Sequence, residues 1–147
     1  MALKTAARTT QSRQVATFQW QWNDTMVPVA GGAAVDFGLT NTAATSVMVI
    51  PLPPNSIVLG GSLIRQQAFD TASYSVTVGD SSSANRYLGA TDVKGLGSTP
   101  LVPTGFLNEA GLNIQLTFTN ADACTAGKAI LVVEYVILGR AMEVQIA

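Results

Sequence analysis

Apolar and polar residues alternate at every second position through much of the chain after residue 14, which is the period of a strand with one buried face. Residues 113–120 show it most clearly, because Ile114, Leu116 and Phe118 share one face and polar residues occupy the positions between them. Residues 15–22 follow the same period. The face predicted to be buried there carries Ala16, Phe18, Trp20 and Trp22.

Two longer apolar segments depart from this alternation. Residues 129–138 are apolar on both faces, as in a central strand, except for Glu134, which therefore needs a partner or a solvated gap. Residues 56–69 are predicted to form a long strand that bends or bulges at Gly60-Gly61. Further strands are predicted at 46–52, at 73–78, and around Val35, Phe37 and Leu39, which should all face inward.

About eight strands are therefore predicted, separated by Pro, Gly, Asn and Ser residues that end strands and open turns. This spacing favours an all-β fold, an antiparallel β-sandwich of jelly-roll or Greek-key type, with an up-and-down barrel as the alternative. The only plausible helix lies within residues 84–97 and would be short. We predict an extended N-terminal arm, residues 1–14, and a single β-sandwich domain, residues 15–147.

Charge is scarce, since 12% of the residues are charged and the net charge is -1. A surface so poor in charge is typical of a protein held against another protein, and also of a compact β protein rich in Thr, Ser and Asn. The small net charge argues against nucleic acid as a partner, because phosphate neutralisation needs a basic surplus. The arm is nevertheless basic, since Lys4, Arg8 and Arg13 precede the first acid. It is either a frayed terminus or a segment that becomes ordered on a partner.

The single cysteine, Cys124, excludes a disulfide within the chain and lies in a predicted turn, where we expect a packed thiol. The first fourteen residues lack the apolar stretch of a secretory signal. The longest apolar run, `AILVVEYVIL`, is too short to cross a bilayer and contains an acid. We therefore expect a protein with no membrane partner that folds in a reducing cytoplasm.

The segment `VTVGDSSS` raises the question of catalysis, because some serine hydrolases present their nucleophile on a Gly-Asp-Ser at the end of a strand. The chain contains no histidine, so the usual base for Ser81 is missing. A lysine-containing phosphate loop is also missing, and one cysteine cannot complete a zinc site. Calcium at Asp80 stays open, because the serines beside it offer oxygen ligands. We interpret Gly79-Asp80 as a turn, with the glycine at positive φ, and predict a protein that is not an enzyme and has no cofactor.

A resemblance to known proteins begins at the same loop. The segments `VTVGDSSSANRYLGATDVKG`, `GLNIQLTFTNADACTAGKAILVVEYVI` and `GRAMEVQ` resemble small structural proteins of tailed bacteriophages, above all the capsid decoration, or cement, proteins with a jelly-roll fold. The resemblance covers the second half of the chain well and the first half by pattern only. It implies a virion protein, made in the host cytoplasm, that binds the outside of the capsid and clamps neighbouring major capsid protein subunits. It brings no catalytic residues.

Such a clamp needs a rigid body and a few anchor residues in its interface, for which tryptophan, tyrosine and arginine are the usual choices. The candidate partner-binding residues are Lys4, Arg8, Arg13, Trp20, Trp22, Arg86 and Tyr87. For the two tryptophans, which share a face with Phe18, a place in the core is the competing interpretation. A homo-dimer or homo-trimer is expected, because capsid contacts repeat at symmetry axes.

A second interpretation is a carbohydrate- or receptor-binding β-sandwich from a phage tail or fibre. It needs aromatic side chains exposed among Asn and Asp residues, and `FQWQWND` at residues 18–24 supplies that composition. Burial of Trp20 and Trp22 would remove its best residues. Bound calcium at Asp80 would favour a third interpretation, an enzyme or a calcium-dependent protein.

Overall fold

The computed structural model describes residues 13–40 and 42–138, and within these ranges the chain forms eleven strands and no helix. In chain order the strands are β1 (Gln14–Gln21), β2 (Thr25–Met26), β3 (Val35–Asp36), β4 (Thr42–Ile50), β5 (Ser56–Gln67), β6 (Tyr74–Gly79), β7 (Leu88–Asp92), β8 (Gly97–Pro100), β9 (Leu107–Asn108), β10 (Ile114–Asn120) and β11 (Lys128–Ile137). Most of the predicted arm, with Lys4 and Arg8, lies outside the described residues. Gln14, the last residue of that arm, already belongs to β1.

The strands build two antiparallel sheets that enclose one core. Sheet one has the order β1-β11-β5-β8, with the short β9 also paired to β5, and sheet two has the order β4-β10-β6-β7. β2 and β3 form a separate two-stranded hairpin. Most connections cross from one sheet to the other and place an early strand beside a late one, which is the winding of a jelly roll. The predicted all-β sandwich is confirmed, and the up-and-down barrel is wrong because most neighbouring strands in the two sheets are not consecutive in the sequence.

The core lies between the inward faces of the two sheets and is rich in aromatic rings. Phe118 on β10 packs against Phe37 with 4.9 Å between ring centroids, and Tyr74 on β6 packs against Phe69 at 4.5 Å. The hydroxyl of Tyr74 donates a hydrogen bond to the carbonyl oxygen of Phe37, which satisfies a polar group in the interior. Burying side chains of this size stabilises the fold by about 1.5–3 kcal/mol each. The predicted inward positions Ile114, Leu116 and Phe118 are confirmed.

The predicted bulge at Gly60-Gly61 is confirmed by the pairing of β5 with β11. The register shifts by one residue between Glu134 and Tyr135, which leaves Leu59 as the extra residue of a β-bulge. Gly61 has φ +139°, a conformation that side chains rarely adopt. The bulge therefore needs a glycine at its C-terminal side.

The helix predicted within residues 84–97 is wrong. This segment contains β7 and the turns on either side of it. The N–H of Tyr87 donates to the carbonyl oxygen of Val78 at 2.9 Å, so the chain turns back along β6 and becomes extended. Pairing with an existing strand overrides the weak local preference for a helix.

Leu39, predicted to face the core, is exposed to solvent instead. The strand ends at Asp36, whose carboxylate accepts hydrogen bonds from the backbone N–H groups of Gly38 and Thr40 at 3.1 and 2.9 Å. These bonds turn the chain, so the alternation that places Phe37 in the core does not continue to Leu39.

Candidate interaction surfaces

The loop that joins β6 to β7 is organised around Asp80, whose side chain is buried. One carboxylate oxygen accepts hydrogen bonds from the backbone N–H groups of Ser82 and Ser83, both at 2.9 Å. The other accepts from Nε of Arg86 at 2.5 Å, which forms an ion pair inside the loop. Asp80 thus bonds the backbone two residues on, as predicted for a turn that ends a strand.

Gly79 is needed in this turn because of close packing. A Cβ at this position would overlap the carbonyl oxygens of Ser83 and Ala84. The expectation that Gly79 adopts a positive φ is wrong, because Gly79 is not among the described residues with positive φ. The side-chain oxygens of Asp80 are engaged by the guanidinium of Arg86 and by N–H groups, an arrangement that repels a calcium ion. Among the described residues no group of three or more acids or cysteines is placed to hold a metal.

The buried ion pair should make stability depend on pH. Burial alone raises the pKa of Asp80, but hydrogen bonds from Arg86 and Ser82 outweigh burial and hold the pKa below its ordinary value. A carboxylate with a depressed folded pKa stabilises the fold above its unfolded pKa of about 4, and this contribution is lost as the pH falls through the folded pKa.

We therefore expect Asp80→Asn to lower the free energy of unfolding by about 2–3 kcal/mol at pH 7, because Arg86 loses its counter-charge. The difference from wild type should shrink as the pH falls below about 4, where Asp80 itself becomes neutral. Urea denaturation at several pH values measures both effects. Asp122→Asn makes the same change at an exposed side chain and serves as the control. If Asp80→Asn lowers the free energy of unfolding as much at pH 2 as at pH 7, the ion pair with Arg86 is not the cause of the loss.

The structure buries two of the predicted partner-binding residues and engages a third in contacts within a loop. Trp20 is 0% exposed and Tyr87 is 2% exposed, so both belong to the core and offer no contact surface. The guanidinium of Arg86 pairs with Asp80 and lies 3.6 Å from the ring centroid of Phe106, which holds this loop together. The reason is topological, because each of these residues lies on or beside a strand whose inner face packs in the sandwich.

The other predicted residues that the structure describes lie at the two ends of β1. Trp22 follows the last residue of β1 and is partly buried against the core. Arg13 precedes the strand, has a side chain 67% exposed, and forms an ion pair with Glu134 at 3.1 Å. Glu134 therefore has the partner that its place in an apolar strand required, although the exposed pair adds little stability.

Cys124 has the packed thiol expected from the sequence. Its side chain is buried beside Gly38, and burial, with a smaller contribution from Asp70, raises its pKa to about 11. A thiol with so high a pKa stays protonated near neutral pH and is a poor nucleophile.

The outer face of sheet one is apolar at its centre, which was not predicted. On β11 the inward residues alternate with Ile130 and Val132, which point outward and are partly exposed. Ile64 on β5 lies beside Ile130 in the pairing of the two strands. At the edge of this face, on β1, Val15 is 60% exposed. We call the surface formed by Val15, Ile64, Ile130 and Val132 the apolar outer face.

Sheet two provides a contrast at the equivalent place. Its central strand β10 points Gln115, Thr117 and Thr119 outward, as expected for a sheet with one solvated face. Thr117 forms a 2.7 Å hydrogen bond between its hydroxyl and that of Ser46 on β4. Sheet one therefore exposes apolar residues at its centre, whereas sheet two exposes the apolar Met48 on its edge strand β4, beside Gln115. A cluster of exposed apolar residues marks an interaction site. The two-sided apolar pattern of residues 129–138 was the signal for it.

Within residues 13–40 and 42–138 the structure contains no helix that could cross a membrane. No protein-family model matches the sequence, and no curated protein matches it.

Two solved structures resemble this fold to different degrees. A family GH115 4-O-methyl-α-glucuronidase with specificity for decorated arabinogalactans matches with 15% identity and a TM-score of 0.32, over 95% of this chain and 20% of that one, which is too weak to support an inference. A chain of the Cyanophage Pam1 capsid asymmetric unit matches with 20% identity and a TM-score of 0.61, over 93% of this chain and 94% of that one. This protein therefore shares its fold, over 93% of its length, with a chain of a phage capsid asymmetric unit.

Proposed function

We propose that this chain is a structural protein of a phage virion that binds the outside of the capsid, clamps neighbouring major capsid protein subunits and stabilises the head. The observation that carries the proposal is the shared fold with a chain of the Cyanophage Pam1 capsid asymmetric unit, which extends over nearly the full length of both chains. The segments `VTVGDSSSANRYLGATDVKG` and `GLNIQLTFTNADACTAGKAILVVEYVI`, which resemble capsid decoration proteins, support it independently.

The side chains present fit a protein that binds and does no chemistry. The chain has no histidine, its one cysteine is buried, and Asp80 is fully engaged by its own loop. A rigid sandwich with 12% charged residues suits a surface that is covered in the assembled particle. No observation favours the tail or fibre alternative, since Trp20 is buried and Trp22 is partly buried.

The apolar outer face is the surface that we assign to the capsid. Ile64, Ile130 and Val132 form its apolar centre, while Thr17 and Gln19 of β1 form a polar margin beside it. Interfaces between proteins have this anatomy, with apolar residues at the centre and polar residues at the rim. The cations Lys4 and Arg8 of the N-terminal arm would then pair with acids on the capsid protein at the edge of the contact, while Arg13 pairs with Glu134.

A clamp should resist the pressure of packaged DNA. We expect heads that carry the protein to retain their DNA on heating to a higher temperature than heads from which it is missing, because each copy holds neighbouring subunits together. Release of DNA is followed by the fluorescence of an intercalating dye during a temperature ramp. Adding purified protein back to deficient heads should restore retention, and adding heat-denatured protein should not. Equal release temperatures with and without the protein would contradict the clamping function.

A further inference from the structure

In the part of the chain that the structure describes, no strand pairs with the outer edge of β1 between Val15 and Gln19. The N–H of Trp22 donates to the carbonyl oxygen of Gly127 at 3.1 Å, and the pairing of β1 with β11 continues from there to Gln14 without a shift. In an antiparallel ladder every second residue bonds to the neighbouring strand, so the even-numbered residues of β1 bond to β11. The odd-numbered residues, Val15, Thr17 and Gln19, direct their backbone N–H and C=O groups away from the sheet. All three are exposed.

The other edges of the described fold are protected in ways that β1 is not. The edge of β4 is partly covered, because the N–H of Val29 donates to the carbonyl oxygen of Ser46 at 2.8 Å. β7 has five residues and an irregular register, and β8 has four residues and ends at Pro100. β1 has eight residues and contains no proline, lysine or bulge. Proteins use short edge strands, prolines, lysines, bulges and covering loops to prevent sheet edges from pairing with other chains. Because β1 has none of these features within the described fold, its edge is the one suited to pairing with another chain.

We infer that β1 is the site of self-association: β1 of one copy pairs in antiparallel fashion with β1 of a second copy, about a two-fold axis at Thr17. The N–H and C=O groups of Gln21 bond to Asp24, so the stretch available for pairing runs from Val15 to Gln19. Thr17 is the middle of this stretch, and this register therefore pairs all of it. It aligns the outward-directed N–H and C=O groups of Val15 in one copy with those of Gln19 in the other. Sheet one then continues across the axis as a single sheet.

The side chains of β1 fit a second copy of the same strand. No residue from Gln14 to Gln21 is charged, so two copies meet without repulsion between like charges. On the outer face Thr17 lies opposite its own copy, a pairing in which the hydroxyls can hydrogen-bond. On the inner face the small Ala16 lies opposite the large Phe18 of the partner. The exposed part of the Phe18 ring, which stacks on Trp20 at 5.8 Å, is thereby covered.

Charges at the two ends of β1 also favour this arrangement. In an antiparallel pair the Arg13 end of one strand lies beside the Gln21 end of the other. Asp24, which accepts a hydrogen bond from the N–H of Gln21 at 2.8 Å, is exposed at that end. Arg13 of one copy thus approaches an acid of the other, and the chain before Arg13 contains Lys4 and Arg8 but no acid.

The dimer would join two apolar outer faces into one surface that crosses the two-fold axis. Such a surface contacts two capsid subunits at once, although the inference itself does not rest on the proposed function. Free protein is sufficient to test it, so a monomer in solution would contradict the dimer and leave capsid binding as a separate question.

Sedimentation velocity over about 1–100 μM protein measures the association. We expect wild type to dimerise in this range. Thr17→Pro removes an N–H that β11 does not use, so the monomer should fold while pairing is lost. Thr17→Lys places two cations opposite each other and should weaken the dimer by about 100-fold. Thr119→Lys adds the same charge on β10, which has a partner on both sides, and should leave the dimer intact.

A cross-linking measurement tests the same pairing without relying on Thr17→Pro or Thr17→Lys. Residues in a hydrogen-bonded antiparallel pair have Cα atoms about 5.5 Å apart, within the range for a disulfide. Thr17→Cys should therefore form an intermolecular disulfide under mild oxidation far faster than Thr119→Cys. A wild type that stays monomeric, a dimer that survives both Thr17→Pro and Thr17→Lys, or equal cross-linking of the two cysteine variants would overturn the inference.

Discussion

Gly61→Ala is expected to lower the free energy of unfolding by about 3 kcal/mol or more, although it adds only one methyl group. Gly61 has φ +139°, which is strained for any residue with a side chain. The added Cβ would also overlap the carbonyl oxygen of Val132 on β11 and approach Leu101 to 3.1 Å. To avoid this overlap, either β5 must move away from β11 at the centre of sheet one or the backbone must distort. Both changes lower the stability of the fold. Chemical denaturation measures the change.

The neighbouring glycine provides a matched control. A Cβ added at Gly60 meets no atom within 4 Å, and Gly60 does not have a positive φ. Gly60→Ala should therefore change stability by no more than about 0.5 kcal/mol, or increase it slightly by restricting the unfolded chain. Equal losses of stability in the two variants would show that the bulge tolerates a side chain at Gly61, contrary to the structure.

Ile130→Glu is expected to weaken binding to the capsid by at least about 100-fold while the protein stays folded. Ile130 points outward from β11, so a glutamate there stays in water in the free protein, where Lys128 on the same face can approach it. On the capsid, the same glutamate would be buried against apolar surface without a partner, which costs several kcal/mol. Cosedimentation with heads prepared without the protein measures the affinity.

Thr117→Glu is the control for this change. Thr117 occupies the equivalent outward position on β10 of sheet two, and its substitution adds the same negative charge to the molecule. The change in net charge is therefore the same in both variants. If Thr117→Glu reduces binding as much as Ile130→Glu does, or if it alone reduces binding, the apolar outer face is not the contact surface.

Much of the fold could be predicted because the alternation of apolar and polar residues along a strand indicates directly which side chains are buried. Residues 113–120 alternate strictly, and their apolar positions lie in the core as predicted. The two-sided apolar pattern of β11 correctly placed it at the centre of a sheet. A pair of glycines within a strand indicates a position where the backbone departs from regular geometry, and Gly60-Gly61 correctly indicated a bulge. Each of these signals depends only on residues that are close together in the chain.

The remaining features depend on contacts between distant segments. Trp20 and Trp22 share the same alternation, yet only Trp20 is fully buried, because β1 ends between them. Arginine is a common anchor residue in interfaces, but the fold brings Phe106 and Asp80 against Arg86. Its role in holding a loop follows from that neighbourhood and not from any local pattern. The apolar outer face depends on such contacts in part, because Ile64 joins Ile130 and Val132 only where β5 lies beside β11.

Locating the protein on the virion tests the capsid-binding function most directly. Electron cryo-microscopy of intact heads and of heads prepared without this chain yields a difference density for it. We expect a sandwich-shaped density on the outer lattice that spans neighbouring coat subunits, with sheet one turned towards the shell. A density found only at a tail tip, or no difference on the capsid surface, would contradict the function proposed here.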